Sequence, residues 1–236
     1  MTPTTSAGRA PIAVALDTAD LATATRWTAA VSPHVTTVKV GLELFSHEGP
    51  AAVEKVRAAG DVDVFLDLKL HDIPNTVAGA ARAIAHLAPR YLTVHASGGP
   101  AMIAAAAHAL PDTLVAGVTV LTSLSADELA LLGIDGSPQD VVRRWARVAV
   151  DAGARALVCS PQEVAFVRDA VGPDIVLITP GVRPAGADVN DQARVATPEQ
   201  ALADGADLLV VGRPITGADD PAAAAAELRR SCTNGR

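Results

Sequence analysis

The sequence predicts an α/β protein, a single (β/α)8 TIM barrel, on three observations. Eight short β-branched runs alternate with Ala-rich helical stretches, the 236 residues match the length of one such barrel, and no Gly/Ser linker or shift of composition interrupts the alternation. An open doubly wound sheet, the alternative, more often stops at about five to seven strands.

The elements follow in order. A strand near 12–16 (IAVAL) leads to a helix near 20–31, which Asp20 caps ahead of LATATRW. Strands near 35–40 (VTTVKV), 63–68 (DVFLDL) and 91–95 (YLTVH) are followed by helices near 47–59, 74–88 and 99–109. The fifth strand, 114–118 (LVAGV), precedes two helices, 126–131 and 138–152. The sixth, 155–159 (RALVC), runs into a helix over 161–171 opened by Ser160 and Pro161, the residue types preferred at N-cap and N1. Strands near 175–179 (IVLIT) and 207–211 (DLLVV), with helices near 197–204 and 220–230, complete the set. Residues 1–236 therefore read as one barrel domain, with 1–10 and 231–236 as frayed ends. Half the residues are hydrophobic but only 3% are aromatic, so Ala, Val, Leu and Ile must fill the core.

Composition excludes several functions. No stretch approaches the roughly 18–20 apolar residues of a membrane span, and MTPTTSAGRAP at the start lacks an apolar signal core, so no membrane association and a cytoplasmic location are expected. Cys159 and Cys232 form neither a disulfide framework nor a zinc spacing and should be free thiols. His34, His47, His86 and His108 are scattered without ligand spacing, so no metal site is expected. A net charge of −7 argues against nucleic-acid binding, and an anionic ligand must be held by a few local cations. Trp27 and Trp145 are read as helix-to-barrel packing.

Active sites of such barrels lie at the C-terminal ends of the strands. There the sequence places Asp17, Lys39, Asp67, Lys69 and His95, with Arg183 after the seventh strand and Arg213 after the eighth. Asp67 and Lys69, two apart on a strand, share a face, and Asp17 and Lys39 should stand at one height on neighbouring strands. Two cations would then alternate with two carboxylates at the barrel mouth. Of 19 basic residues only Lys39, Lys55 and Lys69 are lysines, and two of these fall at strand ends. An ammonium is a proton carrier whose pKa can be tuned and a guanidinium is not, so the choice points to chemistry; Lys55 reads as a solvated helix residue. VVGRPITG puts Gly212 and Arg213 directly after the eighth strand with Pro214 set to begin a short helix, and TPGVRPAG adds Gly181 and Arg183. Loops after strands seven and eight are the usual phosphate corner of these barrels.

The segment DLKLHDIPNTV at 67–77 closely resembles the signature of the orotidine 5′-monophosphate decarboxylases of the common bacterial type. Further matches are ALD at 15–17, VKVG at 38–41, VHASGG at 94–99, VLTS at 120–123, PGVRP at 180–184, DQARVATP at 191–198 and VVGRPI at 210–215. The resemblance implies decarboxylation of orotidine 5′-monophosphate to uridine 5′-monophosphate with no cofactor and no metal. It implies that Lys69 is the proton donor, flanked by Asp67 and by Asp72, the latter reaching in with Ile73 and Thr76 from the other subunit of a homodimer whose active sites are shared. Lys39 and Asp17 would complete the charge network and hold the ribose; Thr122 and Ser123 would contact the pyrimidine. Gln192, Arg213 and the Gly212 backbone would grip the phosphate, with Pro180 and Arg183 in the same site. It gives His95 no proton-transfer role, so His95 is read as shaping the barrel floor or a dimer contact, and His71 as a loop or interface residue. The segment 184–191 (PAGADVND) is the candidate lid. Two rivals remain: a magnesium-dependent sugar-phosphate enzyme of the same barrel group, using the carboxylates as metal ligands, and a non-catalytic nucleotide-phosphate sensor.

Overall fold

The structure is a computed structural model that describes residues 8–183 and 196–234. Eight parallel strands close into a barrel in sequence order: β1 (Ala10–Ala15), β2 (Val35–Gly41), β3 (Asp63–Leu70), β4 (Tyr91–His95), β5 (Leu114–Val118), β6 (Ala156–Val158), β7 (Val176–Thr179) and β8 (Leu208–Val211). The seam is β1 against β8, with Ile12, Ala13 and Val14 opposite Leu209, Val210 and Val211. Around it run α1 (Leu21–Val31), α2 (Leu42–Glu48), α3 (Pro50–Ala59), α4 (Pro74–Ile84), α5 (Pro100–Ala109), α6 (Ala126–Leu131), α7 (Pro138–Asp151), α8 (Val164–Val171), α9 (Pro198–Ala203), α10 (Arg213–Thr216) and α11 (Pro221–Asn234).

Local chemistry sets these boundaries. The Asp20 carboxylate accepts the N–H groups of Ala22 and Thr23 to start α1, and Ser125 and Glu128 form a reciprocal capping box on α6. Proline stands at the first position of α3, α4, α5, α7, α9 and α11, where its missing N–H costs no helical bond. One helix was not expected from the sequence. Residues 42–48 turn into α2 straight from β2, and Gly49, at φ 61°, followed by Pro50 separates it from α3, whereas the sequence pattern predicts a single helix over 47–59.

Apolar residues fill two layers. Between barrel and helices the buried cluster is aliphatic apart from Met102, Cys159 and Cys232, and Trp27 and Trp145 pack against it from its edge. Inside the barrel, Ala13, Ala116 and Ala156 make room for Phe65, Tyr91, Ile178 and Leu208, and the Phe65 and Tyr91 rings meet edge to face at 5.9 Å. The scarce aromatics thus include two that plug the barrel interior. Both cysteines are buried. Of the ends read as frayed, Ala10 already belongs to β1, its N–H bonded to the His34 carbonyl, and α11 continues to Asn234 with Leu228 and Cys232 buried; residues 1–7 and 235–236 lie outside the described residues. Among the described residues no helix is long and apolar enough to cross a membrane.

Candidate active site

The barrel closure carries the strand-end charges to one mouth. β1 and β2 pair with Ala15 opposite Lys39, and β2 and β3 with Gly41 opposite Asp67. Parallel pairing in this register leaves Asp17, just past β1, beside the Lys39 ammonium at 3.0 Å. Lys39 also lies 3.6 Å from Asp67, whose two carboxylate oxygens each accept from the Lys69 ammonium at 2.8 Å. The expected alternation is present as a continuous chain, Asp17, Lys39, Asp67, Lys69. Its centre is dry and its ends are wet: the side chains of Lys39 and Asp67 are each 11% exposed, that of Lys69 30% and that of Asp17 61%.

Asp67 and Lys69 meet by a different route from the one expected. A regular strand would bring them to the same face through its pleat, but the β3–β4 pairing breaks after Leu66–Leu92 and resumes at Leu70–Val94, so four steps along β3 match two along β4. Within the break Lys69 takes a left-handed backbone, φ 47°, a conformation that a long side chain adopts only when its surroundings impose it. The hydroxyl of Thr93 on β4 occupies the break, accepting the Lys69 backbone N–H at 2.8 Å and donating to Asp67 Oδ1 at 2.9 Å.

Electrostatics follow from this packing. Burial pushes the Asp67 carboxyl up, but Lys39 and Lys69 together with the hydrogen bonds from Lys69 and Thr93 outweigh it and hold Asp67 below the usual carboxylate range. His95 ends β4 at the barrel mouth, not its floor, with its ring 5.2 Å from that of His71. Burial, then the neighbouring His71 and Lys69, push its pKa down, against a smaller opposing pull from Asp67.

The charge chain opens into a cavity of about 470 Å³. Pro180, Gly181, Arg183, Gly212, Arg213 and Pro214 line the same cavity, so the two expected halves of the site face one space. Arg183 is held by its backbone N–H on the Ala196 carbonyl, and Gly212 caps α10, its carbonyl accepting from Ile215 and Thr216. Thr122 lines the cavity; Ser123, also expected to contact the ring, is exposed and does not. Asp72, Ile73 and Thr76 do not line this chain's own cavity either: all three are exposed, the first two just before α4 and Thr76 in its first turn, and the Asp72 carboxylate accepts the Ile73 N–H at 2.6 Å. Gln192 and the segment 184–191 lie outside the described residues.

The sequence reading missed the apolar wall of Phe65, Val118, Val120 and Val158, together with Cys159 and Ser160. Their signal was present, since each stands on a strand or just past its C-terminal end, but aliphatic residues there are indistinguishable from ordinary barrel filling. Burial pushes the Cys159 thiol up, which disfavours its thiolate form.

Residues 10–228 match the orotidine 5′-phosphate decarboxylase / HUMPS family. The chain is 67% identical over 219 residues to an orotidine 5′-phosphate decarboxylase of Thermobifida fusca, covering 93% of this chain and 94% of the relative. It is 59% identical over 235 residues to one of Frankia casuarinae, covering 92% and 86%. Among solved structures, the orotidine 5′-phosphate decarboxylase of Lactobacillus acidophilus superposes with a TM-score of 0.83 at 36% identity, over 95% of this chain and 99% of that one.

Proposed function

Since the chain belongs to the orotidine 5′-phosphate decarboxylase / HUMPS family, we propose that it decarboxylates orotidine 5′-monophosphate to uridine 5′-monophosphate, a step of pyrimidine biosynthesis, with Lys69 protonating C6. The observation that carries this reading is the chain Asp17, Lys39, Asp67, Lys69, which opens on a cavity also lined by Arg183, Gly212 and Arg213.

The chemistry needs that arrangement. Breaking the bond between C6 and the carboxylate releases CO₂ and leaves an electron pair in an sp² orbital that the ring carbonyls delocalise poorly. An ammonium about 4 Å away stabilises this charge by on the order of 4 kcal/mol at an effective dielectric near 20. Lys69 then gives its proton to C6 and recovers one from solvent. Asp67, ionised and fixed between two ammonium groups, keeps the lysine charged before the step. Lys39 and Asp17 hold the ribose, Thr122 the pyrimidine, and Pro180, Arg183, Gly212, Arg213 and Gln192 the phosphate end. Remote phosphate binding supplies energy that is realised in the transition state.

Asp72, Ile73 and Thr76 serve the site of a second copy in a homodimer. Their exposure at the start of α4, with Ile73 66% exposed, supports this role, as does their absence from their own chain's cavity. The enzyme works in the cytoplasm as one barrel domain. A magnesium-dependent sugar-phosphate reaction is disfavoured because a cation bound at Asp67 would stand against two ammonium groups already on its oxygens. The test is ultraviolet absorbance on mixing chelator-treated protein with orotidine 5′-monophosphate. Steady conversion is expected; no conversion by folded protein, with turnover of a phosphorylated ketose in magnesium, would overturn the reading.

A further inference from the structure

Thr93 is fully buried on β4 and does not line the cavity, yet its hydroxyl bonds to both Asp67 and Lys69 of the charge chain. Its oxygen accepts the Lys69 backbone N–H, so its single proton is directed at Asp67 Oδ1, the same oxygen that receives the Lys69 ammonium at 2.8 Å. The broken pairing between β3 and β4 lifts the Lys69 N–H out of the ladder, and without a partner it would be a part-buried, unsatisfied donor. The left-handed backbone of Lys69 has to be imposed by a neighbour, and this bond is the one that grips it.

We infer that Thr93 is a positioning residue of the decarboxylation, its hydroxyl setting the backbone of the proton donor and the carboxylate that aligns it through one shared atom. The inference rests on the reading of Lys69 as proton donor and deepens it. A hydroxyl is required because the oxygen must accept and donate at once; valine has the same shape and can do neither. Around the Asp67 carboxylate stand Lys39 from β2, Lys69 from β3 and Thr93 and His95 from β4, with Asp17 beyond Lys39. Removing the Thr93 proton therefore withdraws one of the interactions that favour the ionised carboxylate.

The experiment compares Thr93→Val and Thr93→Ser with the wild-type chain in kcat, KM, affinity for uridine 5′-monophosphate, and the Asp67 titration followed by carboxyl NMR in the ligand-free protein. In Thr93→Val, kcat falls about tenfold or more while KM and product affinity stay within about threefold, and Asp67 titrates at higher pH. Thr93→Ser restores kcat to within about threefold of wild type. Wild-type kcat with an unmoved Asp67 titration in Thr93→Val, or equal losses in Thr93→Val and Thr93→Ser, would overturn the inference. If Thr93→Val does not fold, Thr93→Cys, a weak donor of similar size, is judged by the same criteria. Wild-type turnover tests the decarboxylase reading by itself, whereas the Asp67 titration needs no turnover and tests Thr93 by itself.

Discussion

The Lys69 ammonium lies 2.8 Å from both carboxylate oxygens of Asp67, two residues earlier on the same strand, and reaches them from a left-handed backbone. That contact leaves the ammonium partly exposed at the cavity, while the less exposed Lys39 stands 3.6 Å from the same carboxylate. Proton donor and orienting anion are thereby held as a rigid unit before substrate arrives, which is the condition for electrostatic stabilisation without reorganisation.

Gly41 tests how tightly the unit is packed. A Cβ at this position would stand 3.0 Å from Lys39 Nζ and 3.4 Å from Asp17 Oδ1. Since Lys39 Nζ is the end of a flexible side chain, Gly41→Ala should fold with almost unchanged thermal stability while shifting the ammonium. Turnover at saturating substrate should fall by about tenfold, because misplacement of a charged group by a fraction of an ångström is felt directly in the transition state. Steady-state kinetics alongside a melting curve checks this, and unchanged kinetics would show the network to be slack.

Arg213 tests the phosphate end. Arg213→Ala should weaken binding of uridine 5′-monophosphate by roughly 10- to 100-fold, the loss of a charge-assisted hydrogen bond, and leave uridine binding nearly unchanged. Calorimetry with both ligands decides. Equal losses for nucleotide and nucleoside would contradict the assignment.

Asp72 tests the shared site. Neither Asp72→Ala nor Lys69→Ala subunits should turn over alone, but mixing the two should produce heterodimers that carry one intact site. Recovered activity rising with the heterodimer fraction is the expected result; confirmed heterodimers without activity would place the whole site in one chain.

His34 and His95 give the fold a pH dependence. Burial, with Arg229 near His34 and with His71 and Lys69 near His95, pushes both pKa values below the ordinary histidine range. The unfolded chain therefore takes up protons first as pH falls, so stability should decline as pH drops through about 6.5 and level off only below the folded-state values. Melting temperatures from about pH 8 down to about pH 5.5 should fall accordingly, and His95→Gln should flatten part of the slope. A slope that is unchanged in His95→Gln would remove His95 from the account.

Much of this was legible in the sequence because the barrel repeats one local pattern, and a strand-end position translates directly into a position at the mouth. Asp17, Lys39, Arg183 and Arg213 could be placed for that reason. What was hidden depends on departures from the pattern. No periodicity announces that β3 loses register beside Thr93, and Thr93 reads as a β-branched strand residue until its hydroxyl is seen on Lys69 and Asp67. The α2 helix was missed because its single buried residue, Leu44, gives a seven-residue run no helical period to read.

The most direct test of the central claim is turnover by Lys69→Ala measured alongside its affinity for uridine 5′-monophosphate. The loss in kcat should be at least about a thousandfold, since both the ammonium that stabilises the carbanion and the proton it delivers are gone, with product affinity kept within about tenfold. Turnover near the wild-type level in this variant would contradict it.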